Sequence, residues 1–269
     1  MKISATSALV LNWCDLSLYN GPKVSAYVKS LDLSAGDELM RKLDDEHHYM
    51  HTQAVSCRKL FMWNEANKFL RQHPDGQVVI LAAGIAPLSA GLADRFPNQR
   101  IWDIDLYLMK EKSAALSKDF GNITFITADL ENVETWKSLL LESGYDTTKP
   151  GLFILEGIVY YLSTEGLHRI LKAINEFNAT AVGDFVIHPE LVNPLTRRFP
   201  AEVFAMVSLI SGQDNIQFYD PPSFTKLITD SGFSGIRFTP LSEVQVERTG
   251  SEAPFINADS AWIYLWETN

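Results

Sequence analysis

Residues 78–92 read VVILAAGIAPLSAGL, an apolar strand that runs into a turn of small residues and then into a helix. A second apolar strand, RIWDID at residues 100–105, ends in Asp105, about 20 residues after Gly84. In parallel α/β folds, a small-residue turn after the first strand lets the backbone approach a ligand, and an acid about 20 residues later accepts hydrogen bonds from ribose hydroxyls. Together the two segments predict a site for a nucleoside-containing cofactor.

The turn itself narrows the choice of cofactor. It reads Ala82-Ala83-Gly84 and lacks the G-x-G-x-x-G pattern. A dinucleotide places its pyrophosphate at a helix N-terminus reached through several glycines, whereas a ligand without phosphates needs only one close backbone approach. The turn therefore favours S-adenosylmethionine over NAD or NADP. The alternative is a tight strand-to-helix turn with no ligand.

Two further apolar strands also lead to acidic residues, the third to Asp129 and the fourth to Glu156. Ligands of open parallel sheets bind outside the carboxyl ends of the strands. We therefore expect Asp105, Asp129 and Glu156 to face one crevice.

The order of the predicted elements indicates an α/β fold. Residues 1–75 read as helices only, and the last of these helices runs from near Ser56 to Gln72, where a His-Pro-Asp-Gly turn ends it. Strands and helices then alternate, which is typical of a parallel sheet. The predicted strands lie at about 78–82, 100–105, 123–127, 151–156 and 180–187.

The segment after the fifth strand is longer than a simple crossover requires. Residues 189–220 contain a run of apolar side chains that would suit a water-excluding lid over an organic substrate, or a plain core helix. A helix is predicted at 221–231, and residues 236–238 and 261–266 are predicted to pair as a closing hairpin. The apolar residues of the lid segment are Phe199, Phe204, Met206, Leu209 and Ile210.

The chain resembles the leucine carboxyl methyltransferase-like family of S-adenosylmethionine-dependent methyltransferases, including its bacterial members from natural-product pathways. The resemblance extends from SATSALVLNWC at residues 4–14, through VVILAAG, WDIDL and ITADL, to GYDTTKPGLFILEGIVYYLS at residues 144–163. The last stretch is the most specific, because it carries the family's Gly-Phe-Asp, Pro, acid-Gly and Tyr-Leu pattern in order. The first turn departs from the family's usual Gly-Ala-Gly and Asp-Thr-Arg type run, since it reads Ala82-Ala83-Gly84 and continues with Ile85-Ala86-Pro87.

The resemblance implies a class I methyltransferase fold, an α/β Rossmann-like fold with a mostly parallel seven-stranded sheet. It implies one domain over residues 1–269, with an N-terminal helical cap at 1–75, a cofactor-binding core at 76–269 and a helical insertion after strand 5.

The resemblance also implies roles for individual residues. Asp105 would bind the ribose, Asp129 and Leu130 would bracket the adenine, and Glu156 would lie near the amino acid end of the cofactor. The residues that it places at the cofactor are Arg58, Ala82, Ala83, Gly84, Asp105, Leu106, Asp129, Leu130, Glu156 and Gly157.

Three residues are candidates for binding the substrate or for catalysis. Arg58 falls where the family has an arginine that binds a carboxylate, which suits a guanidinium fork, although a solvated helix arginine is the alternative. Tyr161 matches the family's substrate-facing tyrosine, and Tyr160 would take its place if the register shifts by one. His188 follows the fifth strand and is a candidate general base or a structural hydrogen-bonded histidine.

His47, His48 and His51 form an H-H-x-x-H run beside three acidic residues. The run lacks the H-E-x-x-H arrangement that supplies both zinc ligands and a base. We therefore expect a solvated or pocket-lining helix and no metal. These histidines are further candidate bases if the methyl acceptor needs one.

Composition limits the function further. The chain has 269 residues and a net charge of −10, and it has no cluster of basic residues of the kind that binds nucleic acid. No apolar run is long enough to span a bilayer, and the two cysteines, Cys14 and Cys57, suit a reducing compartment. We expect a cytoplasmic monomer or homodimer without nucleic acid or membrane partners.

The predicted activity is S-adenosylmethionine-dependent methylation of an oxygen, most simply a carboxylate, on a small organic metabolite. A carboxylate acceptor needs no base, whereas a hydroxyl, amine or carbon acid does. The alternatives are N- or C-methylation, and a non-catalytic cofactor-binding protein with the same fold. A nucleotide-dependent oxidoreductase is disfavoured, because the phosphate-binding glycines are missing.

Overall fold

The computed structural model describes residues 1, 3–212, 216–257 and 260–269. Its seven-stranded sheet has the order β3-β2-β1-β4-β5-β7-β6, in which only β7 runs antiparallel to its neighbours. The predicted mostly parallel seven-stranded sheet is confirmed. The strands are Gln77–Leu81 (β1), Arg100–Asp105 (β2), Ile123–Thr127 (β3), Gly151–Leu155 (β4), Thr180–Val186 (β5), Ile236–Thr239 (β6) and Ile263–Thr268 (β7).

Strands β1 and β4 lie side by side in the sheet, and both come from continuous apolar runs of the sequence. Every residue of β1 and of β4 is buried, as expected for parallel strands that are covered on both faces. The helices that flank the sheet are Ala5–Asn12 (α1), Pro22–Lys29 (α2), Ser34–Met40 (α3), Asp45–Gln72 (α4), Leu88–Arg95 (α5), Met109–Leu116 (α6), Val133–Glu142 (α7), Thr164–Glu176 (α8), Arg198–Ser211 (α9), Pro221–Asp230 (α10) and Leu241–Thr249 (α11).

The N-terminal cap is helical as predicted, but α4 begins eleven residues before the predicted start at Ser56. Asp44 caps this helix by accepting a hydrogen bond from the His47 backbone N–H at 2.9 Å. Asp45 and Glu46 lie in the first turn, where acidic side chains are favoured by the helix dipole. The H-H-x-x-H run therefore lies in the first two turns of α4, which packs against β4, β5, β7, α9 and α11.

The C-terminal part of the chain completes the sheet. The predicted pairing of the last two strands is confirmed, since β6 pairs with β7 in antiparallel register from Ile236 opposite Thr268 to Thr239 opposite Leu265. The two strands are joined through α11 rather than by a short turn. In the described part of the chain, no helix is long and apolar enough to cross a membrane.

The insertion after β5 contains α9, so the predicted helical insertion is confirmed. Phe199 is buried and lies edge-on to His47, and Phe204 lies edge-on to Tyr160 with 5.4 Å between the ring centroids. Leu209 is 86% exposed. Helix α9 thus packs through its N-terminal end and one face. Residues 213–215 of the insertion lie outside the described part of the chain.

Candidate active site

A cleft opens at the carboxyl ends of β1 and β4, where an open parallel sheet binds its ligands. Helices α1 and α4, the turn after β1 and the residues after β4 form its walls. The residues that line it are Thr6, Ser7, Val10, Leu11, Arg58, Lys59, Ile80, Ala82, Ala83, Gly84, Ile85, Ala86, Leu88, Lys112, Glu156, Gly157, Tyr160 and Tyr161.

The turn after β1 has an unusual backbone. Ala82 has a φ of 53° and Gly84 a φ of 48°, both in the left-handed region that favours glycine. A Cβ atom built on Gly84 would meet no protein atom within 4 Å. The space in front of Gly84 is therefore open, as the approach of a ligand to the backbone requires.

Asp105 is tied to this turn. Its Oδ2 accepts a hydrogen bond from the Gly84 N–H at 2.9 Å, and its Oδ1 accepts one from the Tyr107 N–H at 2.8 Å. The next side chains are apolar and exposed, with Leu106 at 45% and Tyr107 at 71%. An acid with exposed apolar neighbours is a suitable surface for a ribose and its base.

Asp129 and Leu130 lie at the same edge of the sheet as Asp105, because Asp105 pairs with Thr127 in the parallel ladder of β2 and β3. The Asp129 side chain is exposed and accepts a hydrogen bond from the Glu131 N–H at 3.0 Å, whereas Leu130 is buried. Neither residue is among those that line the cleft.

Four charged side chains form what we call the buried charge cluster: Arg58, Lys59, Glu156 and Asp184. Glu156 Oε1 lies 3.1 Å from Arg58 Nε and 2.8 Å from Lys59 Nζ. Asp184 Oδ2 lies 3.6 Å from Arg58 Nη1. All four residues are largely withdrawn from solvent, so their charges are screened far less than surface charges.

Burial and charge set the protonation of the cluster. Burial alone would raise the pKa of Glu156, but Lys59 and Arg58 outweigh it and hold that pKa below its ordinary value. Burial raises the pKa of Asp184 to about 6, although Arg58 opposes the shift. Burial would lower the pKa of Arg58, but Asp184, Tyr160 and Glu156 raise it, so Arg58 stays a cation.

Gly157 fits tightly into the cluster. Its backbone N–H donates to Asp184 Oδ1 at 2.7 Å, and its φ is 69°. A Cβ atom built on Gly157 would lie 3.4 Å from Arg58 Nη2. The glycine therefore allows both the left-handed backbone and the close approach of the guanidinium.

Lys59, Asp184 and Lys112 were not predicted from the sequence. Lys59 follows Arg58 in a stretch of α4, residues 54–59, that is buried at every position, and the sequence alone did not distinguish it from an exposed lysine of a helix. Asp184 interrupts the otherwise apolar β5, which was an available signal. Lys112 is buried beneath the first turn, with Nζ 2.8 Å from Asp103 Oδ2.

Both candidate tyrosines line the cleft, with ring centroids 4.6 Å apart. Tyr160 is buried and its hydroxyl interacts with Arg58, whereas Tyr161 is half-buried. Burial raises the pKa of Tyr161, which keeps its hydroxyl protonated and able to donate. The structure therefore places both tyrosines in the cleft.

The histidines lie elsewhere. His188 is exposed, is not among the lining residues, and accepts a hydrogen bond at Nδ1 from the Glu190 N–H at 3.4 Å. His47 lies between Asp44, at 2.8 Å, and Glu202, at 3.0 Å.

His51 is buried, and its Nε2 lies 3.1 Å from the Phe199 carbonyl oxygen. Burial lowers the pKa of His51 to about 4. His47 and His51 therefore connect α4 to α9.

Comparison with known proteins agrees with the family resemblance seen in the sequence. The leucine carboxyl methyltransferase family model matches residues 24–175. A protein of Mycobacteroides abscessus, provisionally named an S-adenosyl-L-methionine-dependent methyltransferase, is 28% identical over 113 residues, covering 41% of this chain and 37% of the relative. A similarly named protein of Mycobacterium bovis BCG is 32% identical over 108 residues, covering 38% of this chain and 30% of the relative. The chain thus spans less than two fifths of the length of these curated relatives.

Two solved structures share the fold. One is a protein of Thermobifida fusca YX provisionally described as a methyltransferase, with a TM-score of 0.63 at 13% identity, covering 81% of this chain and 82% of the other. The second is a DUF574 family protein of Streptomyces avermitilis, with a TM-score of 0.61 at 13% identity, covering 81% and 84%. The predicted class I methyltransferase fold is confirmed.

Proposed function

Because the chain belongs to the leucine carboxyl methyltransferase family, we propose that it is an S-adenosylmethionine-dependent methyltransferase that methylates a carboxylate of a small organic molecule. The observation that carries the proposal is the buried charge cluster beside the Ala82–Gly84 turn. Two adjacent cations and an acid lie there at the carboxyl end of the sheet, where they match a ligand that has both a carboxylate and an ammonium group.

The residues of the cleft fit the amino acid end of this cofactor. Arg58 and Lys59 would bind its carboxylate. Both cations contact Oε1 of Glu156, and among the described residues Oε2 has no hydrogen-bond donor. This second oxygen would accept a hydrogen bond from the cofactor's ammonium group.

Asp105 and Leu106 are not among the residues that line the cleft, but Asp105 is hydrogen-bonded to Gly84, which does line it, and we place the nucleoside there. Each oxygen of Asp105 accepts one backbone N–H, which leaves acceptor capacity for the ribose hydroxyls. Leu106 would pack on the adenine, with Leu130 and Asp129 beside it. Gly84 lets the cofactor approach the backbone, because no Cβ stands in the way.

When bound, the cofactor supplies a methyl group activated by its sulfonium, and the electron pair of the broken C–S bond stays on sulfur. The chain's own residues would orient the acceptor and exclude water. Tyr161 would donate a hydrogen bond to one carboxylate oxygen of the acceptor, with Arg58 nearby, while the other oxygen attacks. Phe204 of α9 packs on Tyr160 and would form part of the cover.

The placement of the histidines supports a carboxylate acceptor. A hydroxyl or amine acceptor needs a base within hydrogen-bond reach, and no histidine is among the described residues that line the cleft. The acid that lines it, Glu156, is paired with Lys59 and Arg58, which lower its pKa and make it a weak base. A carboxylate is already a competent nucleophile. The hydroxyls of Thr6 and Ser7, with Val10 and Leu11, would form the wall of α1 that faces the acceptor.

Two measurements test the proposal. Calorimetry should show binding of S-adenosylmethionine and of its demethylated product, and no binding of NAD or NADP. The protein is then incubated with methyl-labelled cofactor and a panel of small organic acids, and the products are treated with alkali. A methyl ester releases volatile labelled methanol under these conditions, whereas methyl ethers and N- or C-methyl products do not.

The outcomes separate the candidate functions. Alkali-stable label would contradict carboxylate methylation and leave methyl transfer to another atom. Binding without any transfer across the acceptor panel would favour a cofactor-binding protein. No binding of either form of the cofactor would overturn the proposal as a whole.

A further inference from the structure

Asp184 belongs to the buried charge cluster, but neither the family resemblance nor the proposed chemistry gives it a role. It lies in β5, between β4 and β7, and its side chain has no exposure to solvent. We propose that Asp184 is a positioning residue that orients Arg58 and the Glu156–Gly157 backbone for ligand binding. The inference rests on the proposed function, since it concerns how the same site holds a carboxylate.

The geometry joins two elements through one carboxylate. Asp184 Oδ1 accepts the Gly157 N–H at 2.7 Å, which fixes the backbone directly after Glu156. Asp184 Oδ2 lies 3.6 Å from Arg58 Nη1. Glu156 contacts the same guanidinium at Nε, so the two acids approach Arg58 at different nitrogens. The guanidinium is thus oriented by a hydrogen bond at Nε and by the negative charge of Asp184 near Nη1.

The contacts of Asp184 would contribute little to the stability of the fold. Burying a carboxylate is costly unless its oxygens are well paired, and a buried ion pair is often no more stable than an apolar replacement. Oδ2 of Asp184 has no hydrogen-bond donor among the described residues, and its contact with Arg58 is longer than a hydrogen bond. The acid therefore contributes orientation of the guanidinium rather than a strong pair.

Loss of this carboxylate would leave the Arg58 guanidinium with Glu156 at Nε and the Tyr160 hydroxyl as its partners. The Nη1 side of the guanidinium would then lack a fixed negative charge, and a two-point grip on a ligand carboxylate would lose its alignment. Asp184→Asn is the suitable change, because the amide has nearly the same size and its oxygen still accepts the Gly157 N–H.

We expect Asp184→Asn to weaken binding of S-adenosylmethionine and its demethylated product at least tenfold in calorimetry, with no fall in the thermal unfolding midpoint. Asp146→Asn is the matched control. Asp146 is an acid with a 42% exposed side chain in the turn before β4, at the opposite end of the sheet, and its substitution should leave the affinity unchanged. Wild-type affinity in Asp184→Asn would overturn the inference.

A double-mutant cycle with Arg58→Lys separates positioning from a purely structural role. If Asp184 acts through the guanidinium fork, Asp184→Asn costs little further affinity once Arg58 is lysine. Equal losses in both backgrounds would overturn the inference. If Asp184→Asn does not fold, Asp184→Ser takes its place in the same cycle. A wild-type protein that binds no cofactor would instead overturn the proposed function.

Discussion

Gly84 donates its backbone N–H to the Asp105 carboxylate at 2.9 Å, although the two residues are 21 positions apart in the sequence. The hydrogen bond joins the turn after β1 to the end of β2. Asp105 therefore has two functions in this arrangement, since it fixes the turn that faces the cleft and retains lone pairs for a ligand. Removal of its side chain would affect both.

Asp105→Ala should weaken S-adenosylmethionine binding at least tenfold, because hydrogen bonds to a carboxylate contribute roughly 1.5–3 kcal/mol. Calorimetry measures the affinity, and circular dichroism checks that the fold is intact. Asp129→Ala should have a smaller effect, because the apolar contacts of the adenine would persist. Asp75→Ala, at an exposed turn, serves as the control. An unchanged affinity in Asp105→Ala would contradict the ribose assignment.

Ala82→Gly should leave cofactor binding intact or tighten it. The φ of Ala82 is 53°, and a left-handed conformation costs a non-glycine residue roughly 1–2 kcal/mol. Glycine avoids this strain but loses more backbone entropy on folding, by roughly 0.5–1 kcal/mol. The free energy of unfolding should therefore rise by about 1 kcal/mol or less, as measured by urea denaturation.

Ala83→Gly provides the matched control, because Ala83 is the neighbouring alanine, is buried, and has no positive φ. It should lose stability, since glycine there brings the entropy cost without relieving strain. If Ala82→Gly abolished cofactor binding while Ala83→Gly did not, the methyl group of Ala82 would have to contact the ligand.

The strands and the strand-end acids were predictable because each depends on a short stretch of sequence. A buried parallel strand is a continuous apolar run, so β1 to β5 were predicted to within one or two residues of their observed bounds. Asp105 is the last residue of such a run, and Glu156 follows one directly. Parallel pairing then brings the ends of the strands to one edge of the sheet.

The start of α4 and half of the charge cluster were not predictable in this way. The first turns of α4 contain His47 and His51, which are buried through contacts with α9, a helix about 150 positions away. Asp184 is part of the cluster because it contacts Arg58, and Lys59 because it contacts Glu156. Both contacts form only when the chain folds. No local pattern encodes these contacts, although an acid within the apolar β5 did mark Asp184 as unusual.

Arg58→Lys should be nearly as damaging as Arg58→Ala, because lysine keeps the charge but loses the planar fork. Because Arg58 is proposed to bind the cofactor's carboxylate, cofactor affinity should fall together with turnover. Loss of turnover with unchanged cofactor affinity would place Arg58 at the acceptor instead. Labelled methyl transfer and calorimetry distinguish the two.

Arg71→Lys makes the same change at an exposed arginine of α4 and should be neutral. Full methyl transfer to a carboxylate acceptor by Arg58→Ala would contradict the assignment.

The pH dependence of stability should reveal the buried Asp184 carboxyl, which faces Arg58 and Lys59 of α4 and also Glu156 and Tyr160. Its pKa is about 6 in the folded chain against 3.8 as the ordinary value, so between these values the folded state holds a proton that the unfolded state has lost. The stability associated with Asp184 therefore falls as the pH rises through this window. Glu156 acts in the opposite direction, because its lowered pKa gives stability that is lost as the pH falls.

Comparison with Asp184→Asn isolates the first effect, because asparagine does not titrate and Glu156 is present in both proteins. Between pH 4.5 and pH 7.5 the difference in free energy of unfolding should shift in favour of Asp184→Asn by about 2 kcal/mol. Urea denaturation at a series of pH values measures this difference. A constant difference across the series would mean that Asp184 keeps an ordinary pKa in the folded protein. A shift in favour of the wild type would mean instead that Arg58 stabilises the ionised carboxylate more than burial destabilises it.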